Sequence, residues 1–517
     1  MEAYKNTLKA EVEEFRKAGK LFLEGKLSKN EFKGKSGGMG VYAQQDQKSF
    51  MIRLRTPSGI ITKHHLALIL SYAKKYHLEK IHFTTRQAIQ LHGLTIDQVC
   101  DIMKEAIDHD LFTRGGGGNF PRNVTLSPLS GVAVDEAFDV TPYACQVGMY
   151  FLKHATGYHL PRKLKVAFSN SAADTAGATI NDVGFMAVLE EGKPMFRMWL
   201  AGGMGGGPAV GIPYTHLVCP EEVLYYIEAM VQLFMAEGDY EHKAKARIRF
   251  IPRRMGVEEF LKCYDTHLAK VKKECHFEGI VPIITKKENT DVESEDKTVC
   301  IAQKQAGLYS LILHPLCGQL TVTDFETIAE YVAKKEKTDI RISMEEEMYI
   351  RNLSKAEAEE LWNLVGAHMM ETPLARSLSC VGTPSCQMGI LQSQKLCQAV
   401  IEAVASAGIQ ANTLPSIQIS GCPNSCSRHQ VAAIGFAGRK VKVEGVSEDA
   451  FTLQIGGCVT RDDTHMGEVK GVLLGKEIPA FLVELGQLAE EKNQPAVALF
   501  QDPCFQTLVD KYNVVMK

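Results

Sequence analysis

A mixed α/β (α+β) fold built by internal duplication is predicted by two features of the sequence. The first is a repeat: displacing the 517-residue chain by 259 positions aligns Ala43-Gln44 with Ala302-Gln303, Leu54 with Leu313, Gly59 with Gly318 and Thr62 with Thr321. The register continues without a gap through Ile69/Ile328, Tyr72/Tyr331, Lys75/Lys334, Ile81/Ile340 and Leu94/Leu353. The second is an echo after each copy. Leu160-Pro161 opens a stretch ending in Val183-Gly184-Phe185, and Leu414-Pro415 opens one ending in Ile434-Gly435-Phe436. The simplest architecture is two halves related by a pseudo-twofold axis, each a strand–helix unit followed by a larger α/β module.

Taken in order, the region from Leu8 through Phe32 reads as a charged amphipathic helical lead. Each repeat then reads strand (Phe50 to Arg55; Tyr309 to His314), helix (Lys63 to Tyr76; Thr323 to Lys335), strand (Ile81 to Leu91; Ile340 to Ile350) and a second helix. A further strand is expected to begin at Leu160. Lys286 to Lys297 reads as a polar connector between the halves, and beyond Cys458 the chain reads as a helical tail, with Ile478 to Glu491 at helical spacing.

At this length the chain exceeds one core and divides into several lobes able to enclose a large cofactor. A net charge of −3 without a long basic run leaves no electrostatic footprint for nucleic acid. There is neither a signal-type apolar start nor a run of about 18 apolar residues, so no membrane association and a cytoplasmic location are expected. Fourteen cysteines at irregular spacing suggest thiols and metal ligands rather than a disulfide framework.

Four of those cysteines stand apart. Cys380 and Cys386 form C-x5-C, Cys422 and Cys426 form C-x3-C, and 35 residues separate the pairs. Two short loops brought together by a fold can converge four soft thiolates on one [4Fe–4S] cube. Both loops contain small turn-forming residues that let backbone amides approach sulfur. Zinc knuckles, haem attachment, small-ferredoxin spacing and the radical-generating C-x3-C-x2-C spacing are all absent. The other ten cysteines read as small buried hydrophobes.

Chemistry should lie where the halves differ. The second strand of the first repeat places Arg86, Gln90 and His92 on one face, where the second repeat has Glu345, Tyr349 and Arg351. Arg114 and the run Gly115 to Gly118 precede Arg122-Asn123, but neither this run nor Gly202 to Gly207 matches a nucleotide-binding fingerprint. In Leu160-Pro-Arg-Lys-Leu-Lys165, Lys163 and Lys165 share a strand face. Buried, two such ammonium groups need an anion between them; exposed, they form an ordinary charged edge.

Together these segments resemble the sirohaem-containing sulfite and nitrite reductases. The matches are Gly40-Val-Tyr-Ala-Gln44 with Arg53, Arg55 and Pro57; Thr84-Thr-Arg-Gln87 through Gln90, His92 and Gly93; Arg122-Asn123; Leu160-Pro-Arg-Lys163; both cysteine pairs; and Ile434-Gly-Phe436. The similarity runs roughly from residue 36 to 470. It implies an N-terminal helical lead (1–39), a first ferredoxin-like half-domain (40–112) and a first sirohaem/substrate module (113–290). A second ferredoxin-like half-domain (300–370) and a [4Fe–4S]/sirohaem module with the helical tail (371–517) follow.

The resemblance further implies a [4Fe–4S] cluster on Cys380, Cys386, Cys422 and Cys426, with Cys426 as the thiolate shared with the sirohaem iron. Sirohaem carries eight carboxylates, for which Arg86, Gln90, His92, Arg122 and Arg428 are the expected partners. Arg86, Arg122, Lys163 and Lys165 are carried over as the residues around the oxyanion.

The implied activity is six-electron reduction of sulfite to sulfide. Lys-x-Lys is the pattern of the sulfite-reducing members and Lys-x-Asn that of the nitrite-reducing ones, whereas Gly421 to Cys426 and Ile434 to Phe436 look more like the nitrite enzymes. Ala433 departs from the acidic residue often found there. Electrons would come from an external ferredoxin or flavoprotein, because the chain has no flavin or nicotinamide fingerprint. The rival readings are nitrite reduction to ammonia on the same site, a corrin-biosynthesis oxygenase, and a non-enzymatic cluster-binding module. A bound sirohaem spectrum separates the reductases from the last two.

Overall fold

The computed structural model describes residues 2–155, 157–285, 288 and 299–514, and the fold is mixed α+β. The connector expected over Lys286 to Lys297 therefore lies outside the described residues, apart from Glu288. The chain forms two compact units. The first comprises Met1–Gly203, Ala209–Leu313 and Leu320–Ala367; the second comprises Met204–Pro208, His314–Gln319 and His368–Lys517. Among the described residues no helix is long and apolar enough to cross a membrane.

The repeat is visible in matching five-stranded sheets. One has the order Val41–Ala43, Phe50–Leu54, Ile89–Leu94, Lys80–Phe83, Gln319–Thr321; the other has Cys300–Ala302, Tyr309–Leu313, Met348–Leu353, Asp339–Ile342, Ile60–Ile61. Each repeat thus lends its short third strand to the edge of the other's sheet. The matched threonines of the two repeats cap helices: Thr62 accepts from the His65 amide ahead of Lys63–Lys75, and Thr321 does the same for Asp324 ahead of Val322–Ala333. Thr95 with Gln98 and Ser354 with Glu357 build capping boxes at equivalent helix starts. Left-handed backbone recurs in register at Gln87 and Glu346, with φ of 53° and 62°.

Two differences from the sequence expectation follow from these turns. The strand expected over Ile81 to Leu91 is a hairpin, Lys80–Phe83 and Ile89–Leu94, so Arg86 sits in the turn while Gln90 and His92 lie on the return strand. The second repeat breaks in the same way between Ile342 and Met348.

The helical lead is two helices, Glu2–Leu23 and Lys29–Gly38, separated at Gly25 and restarted by a Ser28/Glu31 capping box. Leu8, Val12, Phe15, Ala18 and Phe22 form the buried stripe of the first helix, and Phe22 stacks on Phe32 with ring centroids 4.4 Å apart.

The echo modules also share one topology. In the first, Thr125–Leu126, Val166–Ser169 and Val183–Glu190 run parallel, followed by antiparallel Lys193–Leu200 and Ile212–Pro213. In the second unit Leu378–Ser379, Ile417–Ser420 and Ile434–Val443 run parallel before antiparallel Val446–Ile455 and Glu468–Leu474. Val166 pairs with Val183 and Ile417 with Ile434, so the modules match at a displacement of 251 residues. Gly184 and Gly435 occupy the same position, where a Cβ would collide with the carbonyls of Ala178 and His429.

Two further expectations are corrected here. Lys163 and Lys165 precede the strand expected to begin at Leu160, which starts at Val166, because the Lys165 amide is taken by the Asp182 carboxylate at 2.8 Å. The tail after Cys458 includes the strand Glu468–Leu474 before the helix Ile478–Glu491.

Candidate functional site

In the first unit, carbonyls of the glycine loop serve as anchors for arginines. Arg53 Nη1 donates to Gly116 O at 2.5 Å, Arg55 Nη1 to Arg114 O at 2.7 Å, and Arg122 Nη2 to Gly118 O at 2.9 Å. Gly118 N donates to the Tyr42 hydroxyl at 3.2 Å. Any Cβ at Gly117 would collide with Gly37 O and the Tyr42 hydroxyl, so the loop can close on these side chains only with glycine there.

Arg86 is held from several sides. Its Nη1 donates to Asn181 Oδ1 at 2.9 Å, and its Nη2 donates to Asn123 O at 2.5 Å and Val166 O at 3.2 Å. Beside it, Asp182 accepts both Arg247 Nη2 contacts, at 2.9 and 2.8 Å, and the Lys165 backbone amide. On the return strand His92 Nε2 lies 3.2 Å from Gln90 Oε1.

The electrostatics bring most of the expected cations together. Burial, then Lys163, Arg86 and Arg247, push the Lys165 ammonium well below its ordinary value, against the opposing pull of Asp182. Burial pushes Arg122 down to about 9, with Arg53, Arg162 and Arg247 adding to the effect. Burial likewise brings Arg55 and Arg249 down to about 10. The Tyr42 phenol is raised by burial, but Arg122 and Arg53 outweigh this and leave it below its usual value. His92 is pushed down to about 4 by burial and then by Arg53, which keeps it neutral at pH 7. Cations pushed down in this way fit a ligand carrying several carboxylates and an oxyanion. Arg247 Nε, buried without a hydrogen-bond partner among the described residues, is a donor still to be satisfied.

Sequence reasoning missed Arg247, Arg249 and Asp182, and noted Tyr42 only as part of a motif match without a role. The alternation Lys243-Ala-Lys245-Ala-Arg247-Ile-Arg249 was the available signal for the arginines. Nothing local marks Asp182, whose partner Arg247 lies 65 residues away.

In the second unit, the cysteine loops are tied to one another through backbone. Gly421 N donates to Cys380 Sγ at 3.1 Å, Ile390 N donates to Gly421 O at 3.2 Å, and Cys380 Sγ lies 3.3 Å from Ser393 Oγ. Burial raises the Cys380 thiol to about 12, with Cys426 adding to the shift. Burial also raises Cys422, and Cys426 and Cys386 both act on it, so all four sulfurs belong to one electrostatic neighbourhood.

Among the described residues, no group of three or more His, Cys, Asp or Glu is close enough to hold a single metal ion. Four thiolates spread over two loops fit a larger iron–sulfur cube. Ser425 Oγ and Gln387 Nε2, buried and without hydrogen-bond partners among the described residues, are donors adjacent in sequence to Cys426 and Cys386, as a cluster whose sulfides accept hydrogen bonds would need. Cys426 is the exposed one of the four. Arg428, with φ of 60°, starts the short turn His429–Val431. In the first module the positions of Cys422 and Cys426 hold Ser171 and Thr175, while the left-handed backbone persists at Asp174 as at Ser425.

A family profile described as the nitrite and sulphite reductase 4Fe-4S domain matches residues 117–272, and one described as the nitrite/sulfite reductase ferredoxin-like half domain matches 42–109 and 301–368. Together they cover more than half of the chain. The 4Fe-4S profile falls on the module without the four cysteines, which lie in its structural duplicate.

The chain is 27% identical over 432 residues to the ferredoxin–nitrite reductase of Synechococcus elongatus, covering 81% of this chain and 82% of that one. It is 25% identical to a sulfite reductase [ferredoxin] of Mycolicibacterium paratuberculosis, covering 83% and 80%. The solved structure of the Mycobacterium tuberculosis NirA protein shares the fold, with a TM-score of 0.79, 23% identity and coverage of 95% and 92%. With both half-domain matches, the module match and relatives of both names along most of its length, the chain belongs to the nitrite and sulfite reductase family of oxidoreductases, whose cofactor pair is a sirohaem and a [4Fe–4S] cluster.

Proposed function

We propose that the protein reduces sulfite to sulfide. The observation that carries this reading is Lys165, an ammonium pressed by Lys163, Arg86 and Arg247. An oxyanion relieves that repulsion, and a lysine so placed gives up its proton readily. When bound, the sirohaem and cluster supply the ligating metal and the electron relay.

The chain's own residues hold the anion and deliver protons. Reducing sulfite to hydrosulfide consumes six electrons and seven protons and releases three waters. Arg86 and Arg122, fixed by Asn181, Asn123 and Gly118, hold charge without yielding protons, because guanidinium stays protonated. Lys163 and Lys165 donate protons to the departing oxygens. Arg86, Arg122, Gln90 and His92, all in the first unit, would serve the carboxylates of the tetrapyrrole. Cys380, Cys386, Cys422 and Cys426 would hold the cluster, and Cys426, the exposed one of the four, would be the thiolate available to the tetrapyrrole iron.

A lysine at position 165, where nitrite-reducing members tend to have asparagine, favours sulfite. Nitrite reduction to ammonia on the same residues is the second reading, favoured by the name of the Synechococcus relative. The donor is an external ferredoxin or flavoprotein; the names of both relatives favour ferredoxin. Sulfide from sulfite and ammonia from nitrite, measured anaerobically with reduced viologen, test the assignment. A higher kcat/KM for sulfite is expected, and ammonia production alone would reverse it.

A further inference from the structure

One dipeptide organises most of the cationic set. Asn181 takes Arg86 Nη1 at 2.9 Å, and Asp182 takes Arg247 Nη2 at 2.9 and 2.8 Å and the Lys165 amide at 2.8 Å. Asn181 is itself fixed, donating Nδ2 to Gly177 O at 2.5 Å. The Asp182 side chain is 0% exposed and that of Arg247 is 6% exposed, so neither charge is shared with solvent. A buried carboxylate with three such bonds is costly unless each partner stays in place, which makes the arrangement rigid. At the displacement of 251 residues, the second module has Ala432-Ala433 at these positions. In this chain the shared topology forms in the second module without a carboxylate at that position.

We propose that Asp182 is a positioning residue: it locks Arg247 and the backbone of Lys165 in one constellation with Arg86, and it sets a carboxylate beside that lysine among like charges. This rests on Lys165 serving the oxyanion. The groups facing Lys165 are Lys163 on its own segment, Arg86 from the hairpin turn, Arg247 from the segment ahead of Phe250–Met255, and Asp182 ahead of Val183–Glu190. Of these only Asp182 favours the charged form. The two partners of the pair thus act on Lys165 with opposite sign. Removing the carboxylate makes the lysine more acidic; removing the guanidinium makes it less so.

The experiment is competitive trace acetylation of the holoprotein across pH, with the Lys165 peptide quantified by mass spectrometry. This reads the titration midpoint of the amine without turnover. Asp182→Asn, close in shape, is expected to lower that midpoint by about one pH unit or more, a tenfold rise in acidity. Asp182→Glu should restore most of the shift, and Arg247→Gln should raise the midpoint.

A purely structural role predicts loss of stability with the midpoint unmoved. An unchanged midpoint in folded Asp182→Asn protein overturns the proposal, as does a fall in Arg247→Gln. Should Asp182→Asn fail to accumulate, Arg247→Gln decides alone. The functional reading fails separately, if Lys165→Ala reduces sulfite at the wild-type rate.

Discussion

Gln87 reaches across 255 residues of sequence to donate its side-chain amide to the carbonyl of Ile342 at 2.7 Å, joining the turn of one repeat to the strand end of the other. The same amide group donates to Leu126 O at 2.6 Å and accepts from Leu126 N at 2.8 Å. One buried side chain therefore ties both half-domains to the first module, next to Arg86.

Replacing Gln87 with leucine leaves three backbone groups buried without partners. At about 1–3 kcal/mol for each unsatisfied group, partly offset by relaxation, a loss of about 3 kcal/mol is expected. Urea unfolding checks this through a lower midpoint at unchanged slope. A loss under about 0.5 kcal/mol, the scale of a surface substitution, would show that Gln87 is not a clasp.

Lys165→Ala should keep the tetrapyrrole and lose chemistry. The arginines that anchor carboxylates are untouched, whereas a proton donor beside the oxyanion is gone. A fall of about a hundredfold in kcat with sirohaem absorption unchanged is the expected outcome. Wild-type turnover would remove Lys165 from the mechanism.

Cysteine substitutions should separate ligands from fillers. Cys386→Ser should strip acid-labile sulfide and iron from anaerobically purified protein. Cys397, fully buried in the apolar core with Leu396 and Val400, should tolerate alanine with iron content intact. Equal iron content in both variants would break the cluster assignment for Cys386.

The duplication was legible because its signals are local and recur. Thr62 and Thr321 recur as helix caps, and Gly59 and Gly318 recur in turns with left-handed φ of 85° and 67°. The hairpin at Thr84 to Ala88 was not legible. Thr84-Thr-Arg-Gln87 holds no glycine or proline to mark a turn, and the reversal is made by Gln87, a non-glycine residue held at positive φ by contacts far away in sequence. Leu160 to Lys165 reads as strand by pattern, yet its ladder hydrogen bond is replaced by the Asp182 side chain. Lys163 and Lys165 could be picked out as a motif, but Asp182 and Arg247 become partners only once the chain folds.

The cysteine module should weaken in acid through His429. Its ring is 2% exposed, lies 2.9 Å from Ser420 Oγ, and is pushed down to about 4 by burial. Unfolded, the imidazole titrates near 6.5, so between about pH 6.5 and 4 the unfolded chain binds a proton that the folded one refuses. Above that window the group is neutral in both states and costs nothing; as pH falls through it, stability is lost. At pH 5 the loss from this group is about 2 kcal/mol. Unfolding of wild type and His429→Gln at pH 7 and pH 5 should show a shallower acid loss in the variant. Parallel losses would mean that His429 takes up its proton without unfolding and that its burial is relieved locally.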